Sequence, residues 1–567
     1  MQPASYSSFS STSGSSAFPV LQAPDCLSSK LTLTGLATKI EAWIQNCESK
    51  HIHCHVPNRP KLPSRAIDVG FTENYDDIKL ISCGGKSARY VALSYCWGKG
   101  AGMFQTTRSS LASWIQGIPW NELPKTFQDS IIITRRLGIS YLWIDALCIV
   151  QDDTHDWEVE SANMASVYSN SYLTIAATAA SDSHHGLFVD RWTHSSAEVG
   201  LKLPVDALRV PTSVDNPDES IFVRPWIHLA HDRFSDTENA QDHAEDAPLL
   251  TRAWAFQERL LPSRTLHVHA EELVWECKSA VQCECEHLDQ TASFEAVEME
   301  GWLKDSVTGS LHADESAEKL GFVWLILVSE FGALHLTHES DRLAALSGLA
   351  SMFSGKCLGN YLGGIWEHDL PRGLMFTVTN IELGELLPVQ QIQMSPPSWS
   401  WASAYVGGSM RISYNHILDN GFVKDPHFQV IGIDLILQSG NPFSWLERGL
   451  LQLKGSCTVA KISTGPLPSG NPQFVMTVGG VQKVILLMCF WSDGNIEHLE
   501  NVPLDCILIG TEDPSWIAEP GRTPWEYVLV LRKTSVDSNT YQRVGLLLTT
   551  EETCSLRNEI VRTMLLA

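Results

Sequence analysis

The chain has 567 residues, 44% hydrophobic and 19% charged, with a formal net charge of −25. This length predicts two or three domains, and the hydrophobic content provides for large cores and excludes general disorder. The negative charge repels phosphate backbones and argues against nucleic acid as the main partner. The 14 cysteines form no short disulfide framework, which is typical of a reduced, intracellular protein and predicts a cytoplasmic location.

The N-terminal 30 residues are rich in serine and lack the basic start and apolar core of a secretory signal, so we expect a disordered leader. The longest apolar run covers residues 320–336 and is interrupted by Glu330 and Gly332. An interrupted run of this length predicts a buried helix. No membrane span is expected.

Two groups of cysteines and histidines invite a metal interpretation. Residues 31–47 predict an amphipathic helix, after which Cys47, His51 and Cys54 have the spacing of metal ligands but no evident fourth partner. Structural zinc sites close at four ligands. The second group lies around Trp275, where the pattern favours strand packing; its members are His267, His269, Cys277, Cys283, Cys285 and His287. We therefore expect neither group to be a structural zinc site, and no metal site is predicted.

The first strong pattern is a strand over residues 90–95, followed at once by the glycine-bearing loop YCWGKGAG. Residues 123–180 then predict helix, strand, loop, helix and strand. The first helix covers 126–137 and ends before Gly138, where a positive φ is free of cost. The strand over 141–149 is apolar apart from Asp145, as expected when both faces are covered.

The second helix of this stretch is predicted to start with Asp156 as its N-cap and to run through residue 168. A second buried strand follows at 172–178. Strand–helix–strand at this spacing indicates a right-handed parallel βαβ unit. We predict that the strands at 90–95, 141–149 and 172–178 belong to one parallel sheet flanked by helices.

Polar side chains collect where the predicted strands end. Open α/β sheets bind ligands at the carboxyl ends of their strands. If the strands at 90–95 and 141–149 are parallel, one rim carries Ser94, Tyr95, Trp97, Gly98, Asp145, Cys148, Gln151 and Asp152. The loop lacks the Lys-Ser/Thr pattern of a phosphate loop, so its glycines alone are weak evidence.

Glu160 occupies an unexpected position on its helix. At 100° per residue it lies on the apolar stripe, whose other members are Trp157, Met164, Val167 and Tyr168. A carboxylate on an inward face must be paired, protonated or used. Two interpretations remain open: a salt bridge to an arginine such as Arg135 or Arg136, or a functional carboxylate overhanging the rim.

Asp145, Trp97 and a later helical stretch also have structural interpretations. Asp145 interrupts a buried strand, and a structural hydrogen-bonding role is favoured over catalysis. Trp97 fits core packing as well as ligand stacking. Arg252, Gln257 and Glu258 lie on a helical stretch that would line the pocket or, more in keeping with its composition, hold this helix on the sheet.

Ordered motifs between residues 90 and 258 resemble the fungal heterokaryon-incompatibility (HET) domain. They are YVALSYCWG, LPKTFQDSIIITRRLGISYLWIDALCIVQDD, DWEVESANMASVYSNSYLTI and RAWAFQERLLPSRTLHV. The resemblance implies a role in fungal non-self recognition and regulated cell death. It also implies a distant relation to TIR domains, which have a flavodoxin-like sheet and in some cases cleave NAD.

The catalytic glutamate of TIR domains follows a tryptophan on a helix after a central strand, and this pattern falls on Trp157 and Glu160. The resemblance thus implies that Glu160 stabilises the oxocarbenium ion formed when nicotinamide leaves the ribose. Trp97 or Tyr95 would stack on a base, and amides of residues 98–102 would bind phosphate. The predicted substrate-binding residues are Ser94, Tyr95, Trp97, Gly98, Asp145 and Asp152. No bound cofactor is expected, NAD being a substrate. The alternative is a non-enzymatic module that signals by self-association or through an unidentified protein partner.

Four regions follow from these patterns. They are a leader over 1–30, a helical and extended segment over 31–87, the HET domain over 88–260 and a mixed α+β region over 261–567. An acidic insertion covers residues 214–247. In the last region helices are predicted at 322–336 and 341–353, and the PPSWSWAS motif predicts a packed corner around Trp399 and Trp401.

Overall fold

The computed structural model divides the chain into two compact units, Met1–His312 and Ala313–Ala567. The structure describes residues 8–11, 31–98, 103–188, 209–211, 220–224, 247–270, 272–284, 288, 303–313, 315–380, 396–404, 410–437, 441–443, 446–466, 472–478, 481–483, 490–492, 496–517, 521–535, 539–550 and 560–567. Most of the predicted leader and of the acidic insertion lies outside these ranges.

The described part of the first unit contains seven α-helices and eleven strands. The helices are α1 Leu33–Lys50, α2 Leu111–Gln116, α3 Lys125–Arg136, α4 Asp145–Cys148, α5 Thr154–Asn170, α6 Ala253–Leu260 and α7 Leu303–His312. The strands are β1 Ser8–Ser11, β2 Arg65–Asp68, β3 Lys79–Ser82, β4 Val91–Ser94, β5 Tyr141–Trp143, β6 Leu173–Ala176, β7 Arg209–Pro211, β8 Ser220–Arg224, β9 Arg264–Val268, β10 Leu273–Cys277 and β11 Ala280–Cys283.

Eight of these strands form one mixed sheet in the order β11-β10-β9-β6-β4-β5-β2-β3. The four middle strands, β9, β6, β4 and β5, are parallel to one another. The outer pairs on both sides are antiparallel. β1, β8 and β7 form a separate three-stranded antiparallel sheet.

The prediction that the three sequence strands share a sheet and run parallel is confirmed by the pairing of β4 with β5 and β6. The sheet as a whole is mixed, because antiparallel strands extend it at both edges. Those strands are contributed by segments before and after the βαβ unit, where short hairpins replace the helical crossovers that parallel pairing requires.

The predicted strand over 141–149 is also too long. It ends at Trp143, and Asp145–Cys148 forms a short helical turn. An apolar run cannot by itself separate a strand from a buried helical turn. The two flanking helices were predicted within a few residues, but the N-cap of α5 is Asp153, whose carboxylate accepts from the amides of His155 and Asp156. Gly138 has the predicted positive φ, +69°, directly after α3.

The described part of the second unit contains four helices and fourteen strands. The helices are α8 Ala317–Gly332, α9 Ala344–Phe353, α10 Leu370–Gly373 and α11 Asn415–Leu418. The strands are β12 Tyr361–Leu362, β13 Ile365–Trp366, β14 Thr377–Asn380, β15 Met410–Ser413, β16 Val423–Lys424, β17 Gln429–Leu437, β18 Leu446–Pro466, β19 Pro472–Val478, β20 Val481–Lys483, β21 Phe490–Ser492, β22 Pro503–Thr511, β23 Trp525–Lys533, β24 Thr540–Thr550 and β25 Ile560–Leu566.

Most strands of the second unit join one ten-stranded sheet that is antiparallel except for the β24–β25 pair. The predicted helices at 322–336 and 341–353 correspond to α8 and α9. The packed corner is confirmed: Trp399 and Trp401 are fully buried, and their indole N–H groups donate to the carbonyls of Gly449 and Gly364. A buried indole requires such an acceptor.

None of the helices in the described ranges is long and apolar enough to cross a membrane.

Two glycine-to-alanine substitutions in the first unit are expected to change stability in opposite directions. Gly138 has positive φ and nothing within 4 Å of an added Cβ, so Gly138→Ala costs about 1–2 kcal/mol of backbone strain. Gly309 lies within α7 with equally open space, so Gly309→Ala gains up to about 1 kcal/mol of helix propensity. Thermal unfolding of the full chain measures both. Shifts of the same sign would contradict the assignment of Gly138 to the end of α3.

Candidate functional site

The carboxyl ends of β4 and β5 carry a cluster of acidic and hydroxyl side chains. Ser94 is the last residue of β4, and Asp145 follows β5 as the first residue of α4. The third member is Glu258, on α6. The Ser94 hydroxyl donates a hydrogen bond to Oε2 of Glu258, and both side chains are buried. We call Ser94, Asp145 and Glu258 the carboxylate centre.

Three donors hold the Asp145 carboxylate. The indole Nε1 of Trp97 donates to Oδ2 over 2.7 Å, and the backbone amide of Ala146 donates to Oδ1 over 2.6 Å. The hydroxyl of Tyr95 donates the third bond. Convergent donors favour the ionised form of a carboxylate. The predicted rim residues Ser94, Tyr95, Trp97 and Asp145 are thus brought together.

One arginine and one tyrosine complete the surroundings of the carboxylate centre. Arg252 donates through Nη1 to the carbonyl of Tyr95 over 2.8 Å and interacts electrostatically with Asp145 and Glu258. The hydroxyl of Tyr168 lies 3.1 Å from the carbonyl oxygen of Leu93 and also within hydrogen-bonding reach of Glu258.

The two carboxyl groups differ in their environment. Burial, and next the charge of Asp145, raise the pKa of Glu258 to about 7. Burial also raises the pKa of Asp145, but the bonds from Trp97, Ala146 and Tyr95 and the charge of Arg252 oppose it. Two neighbouring carboxylates with a single cation resist double ionisation. The three donors and Arg252 favour the ionised form of Asp145, whereas the raised pKa of Glu258 lets this group exchange a proton near neutral pH.

Gly98 is required by a close approach. Its φ is +90°, and an added Cβ would lie 2.6 Å from Cβ of Asp182. A side chain at this position would push the Trp97 segment away from the residues around Asp182. Residues 99–102 of the predicted phosphate-binding loop lie outside the described residues.

Asp152, also predicted to bind substrate, is exposed, and its Oδ1 accepts from the backbone amide of Arg108 over 2.7 Å. This is the contact of a turn. Within the described residues, Asp152 makes no hydrogen bond to the carboxylate centre, although the neighbouring Gln151 donates to the backbone carbonyl of Asp145 over 3.1 Å.

Glu160, Met164, Val167 and Tyr168 are buried, as their helix stripe predicts, whereas Trp157, which was placed on the same stripe, is 37% exposed. The partners of Glu160 come from the segment before β4. Its Oε1 lies 3.7 Å from Nη2 of Arg65, and Ser64 donates a hydrogen bond to it. Burial nevertheless raises the pKa of Glu160. The same guanidinium is 2.5 Å from Asp156.

The ion pair that the sequence left open as an alternative therefore exists, with Arg65 as its arginine. The two arginines named for that role lie elsewhere: Arg135 pairs with Asp77 at 3.0 Å, and Arg136 with Glu41 at 3.6 Å. The catalytic role of Glu160 stays a prediction.

The cysteine–histidine groups are redistributed by the fold. Cys47, His51 and Cys54 converge with Cys277, which the sequence assigned to the other group. In the second group, buried His267 lies between Thr178 and Glu276, at 3.1 Å and 3.2 Å. Cys285 and His287 lie outside the described residues.

Residues 90–258 match the family model described as heterokaryon incompatibility protein (HET). They form a HET domain. The match spans less than a third of the 567 residues. Comparisons with curated proteins and with solved structures give no match.

The two ends of the HET domain meet in the carboxylate centre. Ser94 lies four residues after the match begins, and Glu258 is its last residue. Sequence reasoning gave Glu258 a structural role. Helix α6 is buried on most of its circumference, as its largely apolar sequence AWAFQERL suggests. A glutamate on a helix covered in this way is expected to be buried as well. That signal was present in the sequence.

The pH dependence of stability should report the protonation of Glu258. Because its folded pKa is about 7 instead of 4.5, the folded chain holds a proton that the unfolded chain releases. This contribution is fully present below pH 4.5 and lost as pH rises through 7, a change of about 3 kcal/mol. Glu258→Gln, which mimics the protonated acid, removes the dependence.

Denaturant unfolding of wild type and variant at about pH 5 and about pH 8 measures this effect. We expect the wild type to lose about 1–3 kcal/mol of unfolding free energy relative to the variant between the lower and the higher pH. Glu158→Gln, on the exposed face of α5, is the control. A pH-independent difference for Glu258→Gln would show that Glu258 is ionised throughout.

Proposed function

We propose that the protein acts in fungal non-self recognition and regulated cell death, and that its HET domain cleaves the N-glycosidic bond of NAD or a related nucleotide. The observation that carries the chemical part is the carboxylate centre, in which Glu258 has a pKa of about 7 beside an Asp145 held by three donors. Paired acids whose environments separate their pKa values are typical of acid–base sites. The HET match supports the biological part.

The chemistry needs one anion and one proton acceptor. Departure of nicotinamide leaves oxocarbenium character on the ribose, and the leaving group is cationic before it departs, so no acid is required. The ionised Asp145 would stabilise the developing positive charge. Glu258, with its pKa near neutral, would take the proton of the attacking water. Ser94 fixes the orientation of the Glu258 carboxyl through its hydrogen bond.

The aromatic residues differ in their suitability for nucleotide stacking. Tyr95 is buried and packs its ring edge-on to Phe127, with centroids 5.0 Å apart. Trp97 is partly exposed and lies next to the exposed Gly98. Because Trp97 is the more exposed of the two aromatic residues, it is the better stacking partner.

The TIR-like arrangement is part of this proposal. Its requirement for parallel strands is met by β5, β4, β6 and β9, whereas the antiparallel edges depart from an all-parallel flavodoxin-like sheet. Glu160, the carboxylate that the TIR resemblance marks, is paired with Arg65. We therefore place the reaction at Asp145 and Glu258, and Glu160 is the competing assignment.

The second candidate function is a module that signals by self-association. One observation favours it: helix α5 exposes two apolar side chains, Trp157 and Val159, at 37% and 44%. The two functions are compatible if clustering of several copies activates the carboxylate centre. The two candidates separate when cleavage and toxicity are measured together.

The test uses purified full-length chain, alone and after fusion to an inducible dimeriser, and follows NAD consumption by chromatography. Asp145→Asn and Glu258→Gln are expected to lower turnover by at least about 100-fold, since each removes a group acting in the transition state. Glu160→Gln is expected to lower the melting temperature, because Arg65 loses a buried partner, and to keep the activity per folded molecule. Toxicity of the same variants in a fungal host is scored in parallel.

Glu158→Gln is the matched control on the helix that carries Glu160 and should equal wild type in both assays. Loss of activity in well-folded Glu160→Gln, with Asp145→Asn and Glu258→Gln active, would overturn the assignment to the carboxylate centre. Toxicity that survives in all three variants, without NAD consumption by the wild type, would favour the self-association module.

A further inference from the structure

Four potential metal ligands converge on one point of the first unit. They are Cys47 on α1, His51 at its C-cap, Cys54 in the 3-10 turn that follows, and Cys277 at the end of β10. Their ligand atoms all lie within 4.8 Å of one another. Nδ1 of His51 is 3.3 Å from Sγ of Cys277. The three cysteines are buried, and His51 is partly buried.

The packing of α1 on the sheet brings these residues together. Trp43 and Trp275 pack with ring centroids 6.0 Å apart. Cys47 lies one helical turn after Trp43, on the same face of α1, and Cys277 lies two residues after Trp275, on the same face of the strand. The tryptophan contact therefore continues into the cysteine cluster. The position of the cluster thus follows from the helical repeat of α1 and the two-residue repeat of β10.

We propose that Cys47, His51, Cys54 and Cys277 form a structural zinc site. Three thiolates and one imidazole are a standard donor set for tetrahedral Zn²⁺. Zinc–sulfur bonds of about 2.3 Å and zinc–nitrogen bonds of about 2.0 Å place tetrahedral ligand atoms roughly 3.5–3.8 Å apart. The cluster thus needs only small side-chain adjustments to close around the ion.

The surroundings of the cluster suit a negatively charged metal centre. Zn²⁺ with three thiolates and a neutral imidazole carries one net negative charge. The buried guanidinium of Arg264 donates from Nε to Sγ of Cys47 over 3.3 Å and from Nη2 to the carbonyl of Cys54 over 3.0 Å. The backbone amide of Lys278 donates to the thiol of Cys54. Such outer donors to sulfur orient ligands and balance their charge.

A buried arginine also requires an anion nearby. Arg264 contacts the partly exposed carboxylate of Glu48 at 3.9 Å, which is a long distance for an ion pair. A zinc-bound thiolate at 3.3 Å would supply the missing negative charge. The negative charge of the metal centre would thus balance the positive charge of the buried Arg264.

The sequence led us to expect no zinc site because the N-terminal group lacks a fourth ligand. That ligand is Cys277, more than 220 residues away in sequence, and only the sheet brings it into place. Both contributing segments lie outside residues 90–258. Zinc would therefore link the segment before the HET domain to the segment after it.

Metal content of the full chain, expressed without added chelator and gel-filtered, tests the proposal directly. We expect one zinc per chain, released by a mercurial thiol reagent. After replacement by cobalt, the reduced protein should show the visible bands of a tetrahedral thiolate site. Removal of the metal should lower the melting temperature of the wild type, since binding energy in structural sites is folding energy.

Two matched pairs of variants locate the site. Cys277→Ala should weaken zinc binding by more than about 100-fold in a chelator competition, beyond the cost of losing an outer-shell group. Cys83→Ala, at an equally buried cysteine outside the cluster, should keep the metal. His51→Ala should lose zinc, and His55→Ala, at the exposed histidine nearby, should retain it.

Three results would overturn the proposal. The first is wild-type chain that contains no zinc and gives no cobalt spectrum after reduction. The second is zinc content that is equal in wild type and in folded Cys277→Ala, which would place the ion elsewhere. The third is a disulfide between two of the three cysteines in freshly purified protein, seen as a mass lower by two hydrogens that reduction reverses.

Discussion

The position of the carboxylate centre in the first unit depends on one buried strand, Val91–Ser94, which pairs in parallel on both of its edges. All four of its residues are buried, and its hydrogen bonds extend to Tyr141–Trp143 on one side and Leu173–Ala176 on the other. Because parallel strands end at the same edge of a sheet, Ser94 and the residues after Trp143 must meet. The helix that carries Glu258 then covers this edge, and the carboxylate centre follows from the topology.

The buried carboxyl groups of the HET domain are stabilised in two different ways. Glu160 lies 3.7 Å from Arg65, whose guanidinium also contacts Asp156 at 2.5 Å. Asp145 and Glu258 share the field of Arg252 and depend mainly on neutral donors, Ser94 among them. Burial and the charge of Asp145 raise the pKa of Glu258 to about 7. We therefore propose the second pair as the reactive one, although Glu160 is also buried.

The part of the chain that matches the HET family does not complete its own sheet. Strands β2 and β3 precede the match, and β9, β10 and β11 follow it. Arg65, the partner of Glu160, comes from β2. Arg264 on β9 and Cys277 on β10 reach back to helix α1. The flanks thus act as structural members of the domain, and the first compact unit extends to His312 for this reason.

Sequence periodicity determined the local elements and their order. The phase of α5 placed Glu160 inward, the positive φ of Gly138 followed from its position after α3, and the apolar runs identified the three parallel strands. These features depend on neighbours within a few residues. The family resemblance over residues 90–258 was likewise readable from ordered motifs.

Tertiary structure decided which distant side chains meet. Arg65 was chosen over Arg135 and Arg136 because β2 pairs beside β5, a contact across more than seventy residues. Glu258 reached Ser94 through the docking of α6, and Cys277 reached Cys54 through the pairing order of the sheet. Helix and strand periods fix the face on which a residue lies. They carry no information on which other face packs against it, and that choice depends on the burial of the whole sheet.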